Sequence, residues 1–483
     1  MRGTEQLFIG NQWVAPSTTA TIEVISPHTE QPIARVPAPG PPDVDRAVAA
    51  ARAAFDTGPW PRLDPAERLA VVRRLAELYT ARVDEIAELI TAEMGAPLTF
   101  SRSAHARLPG AMIRAFADIA ADFEWTETRA GFLGSDILVC KRPVGVVGAI
   151  IPWNMPMFLT VAKLIPALLA GCTIVLKPSP ETPLDANLMA ELIEQVGLPP
   201  GVVSVLPGDR EVGRYLVAHP GVDKVSFTGS TAAGRQVAQV CGSALRKVGL
   251  ELGGKSAAVV LDDADPQDFA TGMMVAGLMN SGQACVAQTR ILLPRSRYQE
   301  YVDALADMVD KLVVGDPFDT ATQVGPMVSQ RQQQRVRGYI EQGQRDGARL
   351  LVGGPDLPEG LERGWYVRPT IFVDVDNAMT IAQEEIFGPV LSVVPYDNDE
   401  HAVRLADATE YGLSGSVWTP DLDRGLAVAG RIRTGTLGIN QPYSMDPFAP
   451  FGGVKSSGIG REFGREGLDG FLDTTSISVR VTP

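Results

Sequence analysis

VGVVGAIIPWNMPMFLTVAKLIPALLAG, residues 144–171, is the most apolar stretch of the chain. It invites comparison with a membrane span, but Pro152, Pro156 and Pro166 break it and Lys163 lies inside it. It therefore reads as a core strand, a loop and a helix. The run TIVLKPS (173–179) follows as a strand with a turn, and DILVCKRP (136–143) precedes it as a strand. The texture continues with helix 184–196, strand VVSVL (202–206), helix 211–218, strand KVSFTG (224–229), helix 232–241 and strand KVGLEL (247–252). This alternation predicts an open, mostly parallel sheet with helices on both faces.

A second series begins at SAAVVLDD (256–263). It runs through helix 265–279, strand TRILLP (289–294), helix 296–312, strand PTIFVDV (369–375) and strand GPVLSVVPY (388–396). The chain is thus α/β, with two tandem open, mostly parallel units and a boundary near 252 placed by pattern alone. Upstream, 43–56, 64–93 and 97–123 read as helices. Asp64 is the expected N-cap, with Pro65 at the first helical position and Glu67 completing a capping box.

The chain has 483 residues, 45% apolar and 21% charged, the composition of a globular protein with large cores. That length suits roughly two to four domains. A net charge of −14 argues against nucleic acid as a partner. The four cysteines, Cys140, Cys172, Cys241 and Cys285, form no CxxC and no Cys/His cluster, so no metal site is expected. Reduced thiols in a cytoplasm are the simpler reading. The N-terminal MRGTEQLFIGNQWVAP lacks the pattern of a signal peptide, and no membrane association is expected.

Five stretches can carry chemistry. In VSFTGSTAAGRQVAQV (225–240) a strand ends, a Gly229-Ser230 turn follows and a helix starts near Thr231. The backbone N–H groups there can meet a pyrophosphate, though a plain βα turn is an equal reading. Lys177 stands at the C-terminal end of a parallel strand, where ligands of such sheets bind; in isolation it is more readily read as a solvated strand-end lysine. Glu251, in LELGGKS, ends an apolar strand, which raises a carboxyl toward the range of a general base. The adjacent Gly253 and Gly254 allow another group to approach closely. Asn154, in a loop stiffened by Pro152 and Pro156, is either an oxyanion donor or a structural Asx turn. Cys285 follows Gly282 and Gln283, compatible with a turn into a short helix whose start would favour thiolate. On residue type alone a cysteine is more often buried and inert.

In order along nearly the whole chain, PWNMP, LKPSPETP, FTGST, ELGGKS, GQACVAQTR, EEIFGPV and PFGGVKSSGIGRE resemble the motifs of the aldehyde dehydrogenase superfamily. The resemblance implies that Cys285 is the nucleophile, forming a thiohemiacetal and then a thioester. Asn154 and the Cys285 backbone N–H would hold the oxyanion, and Glu251 would activate the hydrolytic water. It implies NAD(P) bound by Ile151, Trp153, Lys177, Ser179, Gly208, Gly213, Phe227, Gly229, Ser230 and Leu252. Glu385 would take the nicotinamide-side ribose and Phe387 the nicotinamide side. Where many members carry KPxEQTP, this chain has Pro180, with Glu181 displaced by one. The carboxylate expected on the adenosine ribose is lost, which admits NADP; NAD is favoured, because no basic residue replaces it locally.

The resemblance also divides the chain. Residues 1–126 and 146–252 would form the NAD(P)-binding domain, 253–455 the catalytic domain, and 456–470 a return to the first. Residues 127–145 and 471–483 would supply oligomerisation strands, the C-terminal one pairing with the hairpin of a partner subunit in a homodimer or homotetramer. A small-molecule aldehyde is the expected substrate. Its channel would be lined by Met155, Phe158, Leu159, Ala162, Ala284, Val286, Met445, Phe448 and Phe451, apolar side chains that favour an uncharged aldehyde. Two alternatives stand beside hydrolytic oxidation. A coenzyme A-acylating relative is disfavoured by Glu251, and a non-catalytic member by the intact Cys285, Glu251 and Asn154.

Overall fold

The computed structural model describes residues 2–443 and 445–480; residues 481–483 of the expected terminal strand lie outside the described residues. The apolar stretch folds as a strand, Val146–Ile150, a loop and a helix, Pro156–Ala170, every residue of which is buried. That explains its composition: the helix is apolar on all sides because it is enclosed on all sides.

The strand lies in the middle of an eight-stranded sheet. The order is Gly458–Ile459, Lys247–Glu251, Lys224–Thr228, Val146–Ile150, Thr173–Lys177, Val203–Val205, Leu7–Ile9 and Gln12–Val14. The five inner strands are parallel and the outer ones antiparallel. From Val146–Ile150 the chain steps outward twice to one side, then returns to Lys224–Thr228 on the other. A crevice for ligands therefore opens between those two strands at their carboxyl ends.

A second sheet has seven strands, in the order Arg349–Val352, Thr370–Val373, Val390–Tyr396, Arg290–Pro294, Ala257–Val260, Gly415–Trp418 and Gly438–Ile439. It is parallel except at Arg349–Val352. The chain crosses from the first sheet to the second through residues 252–256 and returns through residues 440–457.

The N-terminal helices are Pro41–Asp56, Pro65–Thr80 and Val83–Met94. The capping box forms: Asp64 accepts the Ala66 N–H (2.9 Å) and Glu67 accepts the Asp64 N–H (2.8 Å). The helix expected over 97–123 carries a π-helical segment, Ser101–Arg107, ahead of Leu108–Ala121. Helix Gln330–Arg345 had no clear signal, since it buries only Gln333, Val336, Ile340 and Gly343 in an otherwise polar run.

The C-terminal strand corrects an expectation. Leu472–Val479 pairs antiparallel with Asp136–Pro143 of its own chain, Leu472 opposite Pro143 through Val479 opposite Asp136. Thr126–Ala130 completes a three-stranded sheet. Helix Gly464–Asp469 returns the chain beside the hairpin, so the strand reaches its partner without a second subunit. Among the described residues no helix is long and apolar enough to cross a membrane.

Candidate active site

Glu251 is the last residue of its strand and 5% exposed. The chain then crosses to the second sheet through Leu252, Gly253 and Gly254. A Cβ on Gly253 would lie 2.3 Å from a Glu385 carboxylate oxygen, and one on Gly254 would lie 2.8 Å from the Cys285 carbonyl. The Gly254 N–H donates to Glu385 Oε1 at 3.0 Å. The two glycines thus let Glu385 and the cysteine loop close on the strand end that carries Glu251.

Cys285 is half-buried, whereas Cys140, Cys172 and Cys241 are buried. No helix begins at Cys285. A 3-10 turn, Met279–Gly282, precedes it, and Cys285 sits in the following turn. The expected lowering of the thiol is accordingly reversed. Burial pushes it up to about 12, and the charges of Glu385 and Glu251 act in the same direction. The backbone N–H groups of Cys285 and Val286 pull the other way, since they face the sulfur. Asn154 is 4% exposed and donates its side-chain amide to the Gln283 carbonyl at 3.1 Å. That contact holds the amide beside the cysteine loop with one N–H still to give.

Burial raises the Glu251 carboxyl well above the ordinary range, and the charge of Glu462 adds to it; Lys163 and Arg461 oppose it. Glu251 Oε2 has no hydrogen-bond partner among the described residues. Lys163 and Glu462 were not anticipated as functional. Lys163 is wholly buried on the central helix and pairs with Glu462. A charged residue inside an apolar run was the available signal for the lysine.

On the opposite side of the strand ends lies a cavity of about 350 Å³, lined by Ile150, Lys177, Arg210, Gly213, Phe227 and Val237 among others. It opens between helices Arg210–Ala218 and Thr231–Ser243. Lys177 ends its strand, is buried, and donates to the Gly208 carbonyl at 2.6 Å. Burial lowers its ammonium to about 8. Gly213 leaves room, since a Cβ there would already touch Lys177 Cδ at 3.4 Å. The Ile151 N–H donates to the Lys177 carbonyl (3.0 Å) and the Gly229 N–H to the Glu251 carbonyl (3.1 Å). Ser230 caps helix Thr231–Ser243 by accepting the Ala233 N–H at 3.3 Å. Leu252 packs over Gly234, where a Cβ would meet it at 2.4 Å. Trp153 and Phe387 meet edge to face at 5.4 Å, Phe387 at φ 65°.

Ser179 donates to Glu181 (2.5 Å), and Glu181 also accepts from Arg331 (3.3 Å). The displaced carboxylate is therefore occupied. Two basic residues do enter, from elsewhere in the chain: Arg210 and Arg214 line the same cavity as Lys177, together with Asp209.

Of the apolar set, Met155, Val286 and Met445 are half-buried with Cys285, Trp153 and Tyr443 over one core cluster. Phe158, Leu159, Ala162 and Phe451 are buried within that cluster, and Ala284 is buried next to the cysteine. Phe158 and Phe451 both pack on Phe463, at 5.5 and 5.9 Å. Phe448 stands apart and is 59% exposed. Tyr443 was missed; it stacks on Phe451, and its buried hydroxyl has no partner among the described residues.

Residues 13–477 match the model of the aldehyde dehydrogenase family. Geranial dehydrogenase of Castellaniella defragrans is 47% identical over 98% of both chains. A Mycobacterium tuberculosis aldehyde dehydrogenase, solved with NAD+, is 51% identical with a TM-score of 0.97, covering 99% of this chain and 98% of that one. A Pseudomonas syringae aldehyde dehydrogenase mutant, solved with NAD+ and octanal, is 41% identical with a TM-score of 0.95, covering 98% and 96%. A cysteine with a side-chain amide bonded to its loop, a raised carboxyl and a separate cavity beside Lys177 agree with these likenesses over the full length, and the chain belongs to the aldehyde dehydrogenase family, as an oxidoreductase.

Proposed function

We propose that this enzyme oxidises an uncharged, apolar aldehyde to its carboxylic acid through a thioester on Cys285. The observation that supports the reading is that Asn154 bonds the turn carrying Cys285, while Gly253 and Gly254 let that turn close on the link that follows Glu251. The cofactor is NAD. The cavity beside Lys177 has the size and apolar walls for an adenosine moiety, and Gly213 keeps it open. Lys177 and Ser179 would hold the adenosine ribose, Gly229 and Ser230 the diphosphate, and Glu385 and Phe387 the nicotinamide end. Bound there, the nicotinamide supplies the hydride acceptor. The division of labour follows the two sheets, with the nucleotide on the eight-stranded one and the nucleophile on the other.

The thiol of Cys285 loses its proton to solvent, the sulfur adds to the aldehyde carbon, and the carbonyl oxygen becomes an alkoxide. The free N–H of Asn154 and the Cys285 backbone N–H hold that charge. Loss of hydride from the same carbon leaves the thioester. Glu251, its charged form disfavoured by burial and by Glu462, takes a proton from water as it attacks the thioester carbonyl. The carbon–sulfur bond breaks and the acid leaves. The sum is aldehyde, water and NAD+ giving acid, NADH and a proton.

The half-buried side chains of Trp153, Met155, Val286, Tyr443 and Met445, on the same core cluster as Cys285, are uncharged. Relatives named for geranial and solved with octanal support an apolar substrate. We place the enzyme in a cytoplasm, consistent with four free thiols. It assembles as a homodimer or homotetramer, consistent with the exposed apolar Ile477 on the three-stranded sheet and Phe132 and Leu133 in its hairpin turn. The test is kcat/KM across an aldehyde panel by absorbance at 340 nm, with the product identified in the presence and absence of coenzyme A. Free acid and a preference for apolar aldehydes are expected. A preference for charged aldehydes, or acyl-CoA as product, would reverse the reading.

A further inference from the structure

Three consecutive residues before the nucleophile loop adopt the left-handed conformation: Asn280 (φ 53°, ψ 36°), Ser281 (φ 57°, ψ 33°) and Gly282 (φ 74°). Two of them are not glycine, so the turn persists only because its surroundings over-determine it. Gly282 is forced, since a Cβ there would lie 2.2 Å from the Gly388 carbonyl. Ser281 Oγ donates to the Gly325 carbonyl (3.1 Å) and accepts the Gly325 N–H (2.9 Å). Gln283 accepts the Val328 N–H at 3.0 Å. The turn is thereby fastened to the 325–328 segment from below.

Asn280 does something different. Its Nδ2 donates to the main-chain carbonyl of Asn154 (2.8 Å) and to the carbonyl of Gln283 (3.3 Å). The second acceptor is the same carbonyl that receives the Asn154 side-chain amide (3.1 Å). Asn280 is 2% exposed, so no water competes for these bonds. Both ends of the oxyanion site, the Asn154 loop and the cysteine loop, are thus tied through one amide. We infer that Asn280 is a positioning residue that sets Asn154 against Cys285 and so leaves the second Asn154 N–H aimed at the developing oxyanion. This rests on Asn154 being the oxyanion donor.

The test is a double-mutant cycle with Asn154→Ala. Asn280→Gly tolerates the left-handed backbone and removes only the amide. In the wild-type background it should lower kcat about 100-fold, the cost of a small misplacement, while KM for NAD stays within about twofold. In the Asn154→Ala background the same change should have little further effect, because Asn280 acts through Asn154. If the two losses multiply instead, Asn280 acts independently and the inference is wrong. If Asn154→Ala alone leaves kcat unchanged, the oxyanion reading itself fails, which is a separate outcome. Should the glycine variant not fold, Asn280→Asp keeps the shape and the left-handed tolerance, and the same cycle applies to it.

Discussion

Lys163 and Glu462 form an ion pair beside Glu251, with the lysine side chain wholly buried and the glutamate side chain 11% exposed. The negative member of the pair raises the Glu251 carboxyl and the positive member lowers it. Neutralising Glu462 removes the first influence and leaves the second unopposed. In Glu462→Gln the acid limb of the kcat–pH profile should therefore move to lower pH, by about one unit. A buried cation without its partner should also destabilise the fold by about 3–5 kcal/mol, read as a lower unfolding midpoint. A limb that stays in place would mean that Glu251 is not the group it reports.

Glu251→Gln removes the proposed base and leaves the proposed nucleophile. It should give one equivalent of NADH per active site in a burst, then turnover slowed about 10²–10⁴-fold. Intact mass of the quenched enzyme should show the acyl group on Cys285. A slow phase with no acyl adduct would place the damage before thioester formation.

The thiol pushed up to about 12 predicts a quiet resting enzyme. Without NAD, iodoacetamide should label Cys285 slowly at pH 7 and about tenfold faster for each pH unit above that, until the chain unfolds. Glu385→Gln removes the larger of the two charges that raise the thiol, and should speed labelling several-fold at fixed pH. The other three cysteines are buried, so peptide mapping can follow Cys285 alone.

Far from the site, Glu93 and Asp185 are both fully buried; Glu93 accepts the N–H groups of Leu184 (2.8 Å) and Asp185 (3.1 Å). Burial raises both carboxyls, Asp185 to about 8. The folded chain thus keeps protons that the unfolded chain releases near pH 4. Their contribution is full below that value and falls as pH rises toward 8, at about 1.4 kcal/mol per unit for one proton. Urea midpoints should drop between pH 6 and 8, and drop less for Asp185→Asn. Equal slopes would remove the pair from the account.

Much of this was legible in the sequence because it is local. The βαβ alternation, Glu251 at a strand end and the need for two glycines after it all follow from neighbours within a few residues. Lys163 could be seen only as a charge that spoils a membrane span. Its partner Glu462 lies in a different part of the chain, and no pattern links the two. The direction of the Cys285 thiol was misjudged because no helix begins there and because its burial, the largest influence, comes from distant segments, with Glu385 and Glu251 adding to it. The partner of strand Leu472–Val479 was misplaced because alternation reveals an edge strand but not which chain it joins.

The pairing of Leu250 and Glu251 with Ile459 and Gly458 has a consequence for biosynthesis. The strand bearing Glu251 leaves the ribosome about 200 residues before its neighbour, on the order of 10–40 s earlier at usual elongation rates. The whole seven-stranded sheet is made in that interval. Throughout it the strand bearing Glu251 is an open edge, available for mispairing with other nascent chains. Glu462 arrives on the same late segment that closes this edge. A growing chain therefore carries Cys285 before it carries the segment that closes the strand bearing Glu251.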